Sequence, residues 1–258
     1  FPFFLFSYFF IFNKKKITFY NYFFLTFITF TVTIGIVISG DRAPLVLFFF
    51  QLFLVFLLIK KLRIFFSILG VSLFIIMSSI VLNDPIIKDR VINVTLDNIK
   101  GEYNNNEYTL ISKAYEGHFN AAIIIFKKYP VLGSGIKGFR NQCYNLTNED
   151  KNGKEIACTT HPHNIFFHII SETGVFGLII YLYLFYNILK QLYLITLNKI
   201  QFENKNKLIS NQICLINFLI ILWPLITGGS IFNNYNSIFY YLAITLYLVS
   251  NNTEKKFN

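Results

Sequence analysis

The sequence predicts an all-α polytopic membrane protein. It reads as about six full transmembrane helices after a truncated N-terminal span, with one large extracytoplasmic loop that contains an amphipathic helix. Three observations predict this. Of 258 residues, 54% are hydrophobic and 14% charged, more apolar surface than a soluble domain of this length can bury. The apolar residues come in blocks near the ~20 that a spanning helix needs. Between the blocks stand short basic turns such as "NKKK", "KKLR" and "NKIQFENKNK". An AT-rich genome would explain the preference for Phe, but not the blocks.

In chain order, "FPFFLFSYFFIF" reads as the cut end of a span. The chain opens at Phe1, its only methionine is Met77, and this stretch lacks the basic region and small-residue cleavage site of a signal peptide. Full spans follow at 17–39, 43–59, 64–82, 164–189, 208–227 and 231–250. The organisation is then 1–82, transmembrane helices; 83–163, an extracytoplasmic (periplasmic) loop; and 164–258, transmembrane helices with a short cytoplasmic tail.

Charge sets the orientation. One set of loops carries twelve cations (Lys14, Lys15, Lys16, Lys60, Lys61, Arg63, Lys190, Lys199, Lys205, Lys207, Lys255, Lys256) and two acids, Glu203 and Glu254. The other side holds eleven of each sign, so the whole net charge of +10 lies on one side, which the positive-inside rule makes cytoplasmic. The turn at 40–42 and the insertion then face outward. The basic balance reports orientation, not nucleic-acid binding, because no cationic patch interleaves with aromatics on a soluble domain.

Within the insertion, "ISKAYEGHFNAAIIIFKKY" (111–129) spaces Phe119, Ala122, Ile123, Phe126 and Tyr129 as a helix face, and Pro130 ends it. That helix fits the outer membrane surface and the core of a small outer domain equally. In "PVLGSGIKGFR", Gly133 and Gly135 allow tight turns and close backbone approach, but the run matches neither a P-loop nor a dinucleotide fingerprint. Cys143 and Cys158 bracket a polar stretch, and an oxidising compartment favours a disulfide. A zinc site using Cys143, Cys158, His161 and His163 is the rival reading. Cys214 falls within a span as a buried thiol.

Taken together, "SGDRAPL", "GHFNAAIIIFKKYPVLGSGIKGFRNQC" and "CTTHPHNIFFHIISETGVFGL" resemble the O-antigen ligase and O-antigen polymerase superfamily over about residues 30–185. Where many members place an arginine after a glycine in the amphipathic stretch, this chain has His118 after Gly117. The resemblance implies a multi-pass protein of the bacterial inner membrane with its active site facing the periplasm. It implies a metal-independent, inverting glycosyl transfer with no cofactor. The donor would be a glycan on undecaprenyl pyrophosphate, and the acceptor a sugar hydroxyl on lipid A-core or another glycan. Membrane lipids are the remaining partner, and nucleic acid is not one.

That chemistry needs a base, cations for the leaving group and access from the bilayer. His163, with His161 as alternate, suits the base, and the positive end of the helix starting at 164 should keep it neutral. Asn164 can cap that helix. Arg42, with Asp41 as a helix cap and Pro44 in the first turn, suits pyrophosphate, as does Arg140. Span parity puts the 40–42 turn and His163 on one membrane face. Glu172, a carboxylate inside an apolar span, suits orienting a histidine or a guanidinium. Plainer readings stand beside each: interfacial histidines, a snorkelling Arg42 or an Arg42–Asp41 pair, a solvated Arg140, a protonated Glu172 packed against Ser171 and Thr173. A lipid-linked glycan transporter is the alternative of another class. It should place polar residues deep in several spans, whereas the ionisable residues here gather at the outer mouth.

Overall fold

The computed structural model describes residues 19–93, 95–96, 113–146, 156–202, 205–225, 228–251 and 256–257. The N-terminal stretch 1–12 and the middle of the polar run between the two loop cysteines, 147–155, lie outside the described residues. Among the described residues the regular structure is helical, apart from one antiparallel pairing of Ile200 with Phe257 and Gln201 with Lys256. It divides into two compact units: Phe1–Thr95 with Ile188–Ile221 and Tyr240–Asn258, and Leu96–Asn187 with Leu222–Phe239.

The first unit contains α1 (Phe19–Ser39), α2 (Arg42–Leu58), α3 (Arg63–Asn83), the single turn α4 (Pro85–Lys88) and, later in the chain, α8 (Lys205–Ile221). Leu25, Val37, Leu52, Val55, Leu69 and Leu73 are buried, while Phe23, Phe27, Ile64, Ile68, Val71 and Phe74 are exposed. Helices apolar on both faces suit lipid on the outside. Thr29 and Thr33 are buried, and each hydroxyl donates to the carbonyl four residues back in its own helix. Arg63 closes α2 by donating to the carbonyls of Phe56 and Leu57, at 2.9 and 2.8 Å.

Asp41 stands at the N-cap of α2 but makes no side-chain capping bond, contrary to the sequence reading. Such a cap accepts from the second or third helical N–H, and Pro44 occupies the third position with no N–H to give. Asp84, before Pro85 at the first helical position, does cap, accepting from Ile86 and Ile87 N at 2.9 and 3.0 Å.

The second unit holds α5 (Lys113–Lys128), α6 (Gly138–Cys143) and the first part of α7 (Ile165–Thr196). In α5 the buried residues are Phe119, Ala121, Ala122 and Ile125, packed with Phe139 and Cys143. The inward face is thus rotated from the expected one: Ala121 and Ile125 point in, and Ile123 and Phe126 are only half-buried. Ala121 and Ile125 are drawn in by Phe139 and Cys143 of α6, while the Phe119 ring stacks on Phe167 of α7, centroids 4.4 Å apart. Cys143 and Cys158 form a disulfide, which removes their thiols from the zinc reading. Cys214 is free and buried.

Three helical segments, Tyr22–Ser39, Lys60–Asn83 and Ile165–Thr196, are long and apolar enough to cross a membrane, and α2 and the Ser237–Val249 part of α9 (Asn234–Asn251) are shorter apolar helices. The chain is a multi-pass membrane protein. α7 runs for 32 residues with a break at Gly174, so its apolar length is divided between two helical parts.

Candidate functional site

The second unit gathers all four histidines. The rings of His161 and His163 lie 4.2 Å apart, those of His118 and His163 5.4 Å, and those of His161 and His168 6.1 Å. Tyr115 packs beside His118 and His163, at 6.4 and 5.8 Å. Three stretches distant in sequence therefore build one cluster: the start of α5, residues 156–164 running into the first turns of α7, and residues 228–232.

Each segment is placed by a local device. Gly117 lets α5 approach the 156–158 strand of chain, since a Cβ there would lie 2.7 Å from that of Ala157. The next residue, His118, bonds through Nδ1 to the Ala157 carbonyl at 2.8 Å, which puts the hydrogen on Nδ1. His163 has a positive φ of 56°, costly for a side chain with a Cβ. Its carbonyl is held by Gly228 N at 2.7 Å. Asn164 follows as the cap of α7: Oδ1 accepts from Phe166 and Phe167 N at 2.9 and 3.2 Å, and Nδ2 donates to the Pro224 carbonyl at 2.8 Å. The His–Asn pair thus turns the chain into the helix and ties it to the segment before α9.

Burial lowers the His163 imidazole below its ordinary value, and the neighbouring His118 lowers it further. The direction is the one expected from the helix end, but these are its causes. His161 is pushed down to about 4, first by burial and then by His163 and His168, with weaker opposing pulls from Gly228 and Glu172. Both rings are neutral at pH 7 and able to accept a proton.

Glu172 is the structural centre of the site. Its buried carboxylate meets His168 Nε2 at 3.3 Å and accepts from the backbone N–H of Lys137 at 2.7 Å and of Phe139 at 3.2 Å. Those two amides belong to the glycine loop and the start of α6. The loop lies along α7 where that helix breaks at Gly174, φ 64° and ψ −159°. At the break Ser134 N and Gly135 N donate to the carbonyls of Ser171 and Glu172 (2.9 and 3.0 Å). Val175 N and Phe176 N donate to the carbonyls of Pro130 and Val131 (2.8 and 3.2 Å). Gly133 has a φ of +70°, and a Cβ there would meet the Glu172 backbone at 2.2 Å. The loop replaces the hydrogen bonds that the broken helix gives up.

Arg140, on α6 just beyond the Glu172-bound amide, is exposed. Arg42 lies in the other unit, at the first position of α2, where Nη1 donates to Thr95 Oγ1 at 2.9 Å. Sequence reasoning missed His168, and it noted His118 only as a departure from a family pattern. The signal for His168 was its place four residues before Glu172, one helical turn away. Among the described residues no three His, Cys, Asp or Glu side chains are set to hold a metal ion.

The two units define a polytopic helical membrane protein whose titratable groups cluster beside a splinted break in a long apolar helix. The family model described as O-antigen ligase matches residues 24–182. This match covers more than half of the chain, and the chain belongs to that family. No curated protein and no solved structure matches it.

Proposed function

We propose that the chain is a glycosyltransferase-type membrane ligase. It moves a glycan from undecaprenyl pyrophosphate to an acceptor sugar hydroxyl on the periplasmic face of a bacterial inner membrane, in the six-span arrangement with 83–163 outward. One observation carries the reading: His163 is a half-buried imidazole, lowered from its ordinary value by burial and by His118, within a cluster of four histidines at the start of an apolar helix.

In this scheme His163 takes the proton of the acceptor hydroxyl, with His161 as alternate. The oxygen attacks the anomeric carbon, the bond from that carbon to the pyrophosphate oxygen breaks, and the lipid pyrophosphate leaves with the electron pair. Arg140 offsets charge on that leaving group from α6, just after the glycine loop. Arg42, placed outward by span parity, is a further pyrophosphate contact with its own test.

The test uses full-length protein with a lipid-linked donor. His163→Ala should lose about 10²–10⁴-fold in rate while still binding donor. Arg42→Ala should weaken donor binding, and Arg42→Lys should restore it only in part, because an ammonium lacks the two-pronged fork. Near-normal turnover in His163→Ala would remove the base role. Ligase and polymerase share the donor, and the glycans of a deletion strain separate them. Unligated long chains on the lipid indicate a ligase, and single repeat units a polymerase.

A further inference from the structure

The glycine loop between α5 and α6 holds three large apolar side chains on its outside. Val131, Leu132 and Ile136 are 67%, 71% and 68% exposed. They stand beside a matching surface on α7. Before its break that helix has Ile165, Ile169 and Ile170 buried, and its exposed apolar face begins at Val175 and Phe176 and continues through Ile179 and Tyr183. Val175 N and Phe176 N are bonded to the carbonyls of Pro130 and Val131, so the loop and the start of that face form one patch. α7 is long and apolar enough to cross a membrane, and its exposed apolar face is the one that hydrocarbon covers.

Irregular backbone survives at membrane depth only where protein satisfies its polar groups. This loop is built that way. Pro130 has no amide hydrogen to satisfy. Gly133 N donates to the Tyr129 carbonyl at 3.1 Å, and Gly138 N to that of Gly135 at 2.8 Å. Ser134 N and Gly135 N go to α7 carbonyls, and Lys137 N goes to the Glu172 carboxylate. The Ser134 hydroxyl turns inward as well, donating to the Ser171 carbonyl at 2.9 Å. A loop in water would need no such splint, because water serves the same groups. Charge is arranged to match. The exposed cations Lys127, Lys128, Lys137 and Arg140 flank the apolar tip, and no acid occurs from residue 117 to residue 146. Tyr129 and Tyr144 stand at the same two edges. An apolar tip, then tyrosines, then cations is the order of a segment seated in one leaflet: hydrocarbon, interface, headgroup.

We propose that residues 131–136 re-enter the membrane as a half-inserted loop whose partner is an anionic phospholipid bilayer. Val131, Leu132 and Ile136 sit in the hydrocarbon of the leaflet beside the α7 break, and the four cations meet the lipid phosphates. The insertion that the sequence reads as wholly outside the membrane thus dips back into it. Glu172 holds this loop through the amides of Lys137 and Phe139, so the loop's seat in lipid fixes the level of the histidine-bearing helix at the membrane surface. No step of the glycosyl transfer is used, and failure of that reading leaves the loop where it is.

The test places a nitroxide spin label at Leu132→Cys in the full chain, in phospholipid vesicles, with a label at Tyr183→Cys on the exposed face of α7 as the lipid reference. Cys143 and Cys158 are joined and Cys214 is buried, so the new thiol is the one that reacts. Relaxation by oxygen, which concentrates in hydrocarbon, is compared with relaxation by a water-soluble nickel chelate. The label at 132 should favour oxygen, as the label at 183 does. A label relaxed mainly by nickel would put the loop in water and overturn the proposal. A label shielded from both would mean that protein covers the loop, a second copy or another stretch of this chain, and would overturn it equally. Ile136→Cys gives a second site with the same expected result, and a Trp223 melt like that of wild type shows that each labelled chain is folded. For the headgroups, the oxygen-to-nickel ratio at 132 should be higher in phosphatidylglycerol than in phosphatidylcholine vesicles. Lys127→Gln combined with Lys137→Gln should remove that difference and leave the ratio at 183 unchanged. Equal ratios in the two lipids with the native lysines would overturn the anionic partner.

Discussion

Replacing Gly133 by alanine should loosen the glycine loop from α7 far more than the same change at Gly135, two residues on. Both glycines have positive φ, +70° and +88°, so each substitution carries left-handed backbone strain of about 1 kcal/mol. They differ in space. A Cβ at Gly133 would lie 2.2 Å from the Glu172 carbonyl carbon and 2.3 Å from Thr173 N, backbone atoms that cannot swing aside, whereas nothing lies within 4 Å at Gly135. Relief of the clash lifts the loop and takes with it the bonds from Ser134 N and Gly135 N to the α7 carbonyls, at about 1 kcal/mol each. The expected losses are about 3 kcal/mol for Gly133→Ala and about 1 kcal/mol for Gly135→Ala. At about 3 °C per kcal/mol these become midpoint shifts of about 9 °C and about 3 °C. Trp223, the only tryptophan and part of the second unit, reports them in a thermal melt of the full chain by its fluorescence. Equal shifts for the two variants would refute the contact between Gly133 and the α7 backbone.

Acid should destabilise the second unit. The unfolded chain binds a proton at His161 near 6.5 and the folded chain only near 4, so stability falls as pH drops between those values and is flat above them. The loss is about 3 kcal/mol for a wholly buried ring and about half that for this partly exposed one. His161→Gln should flatten the profile of Trp223 midpoints against pH. Reduction of the Cys143–Cys158 disulfide, which spans 15 residues, should lower stability by about 3 kcal/mol in the chain-entropy model, read in the same melt with and without reductant. A topology reporter fused after Asn106 should read as extracytoplasmic and one after Asn204 as cytoplasmic. The reverse pattern would overturn the charge assignment and the face of the membrane on which the chemistry is placed.

Several features were legible because they depend on one segment alone. Three of the apolar blocks fall on α1, α3 and α7, the helical segments long and apolar enough to cross a membrane, since burial from water acts on each block independently of its neighbours. The disulfide followed from two cysteines on one side of the membrane. Contacts between segments were hidden. Nothing in "ISETG" says that Glu172 holds the amides of Lys137 and Phe139 more than thirty residues earlier. His168 looked like one more residue of an apolar helix until Glu172 gave its ring a partner. The α5 face was set by Phe139 and Cys143 of α6, which no periodicity within α5 could report. The unmade Asp41 cap, by contrast, stood in plain view three residues before Pro44, and the missing N–H could have been counted.

The polar interior of α8 bears on how the chain enters the bilayer. Ser210, Asn211, Gln212 and Asn217 are buried along it, and Gln212 donates to the Leu58 carbonyl at 3.2 Å while Gln51 donates to Asn217. Such a segment partitions poorly into lipid by itself, because its amides would reach hydrocarbon unpaired. It needs α2 waiting to receive it. Its bonds to α2 can form only after the 154 positions between Leu58 and Gln212 have been made, so α2 waits unpaired for the later helix during synthesis. Lesions at Gln51 or Gln212 should then surface as chains discarded by quality control during biogenesis, with the histidine cluster of the few that survive left intact.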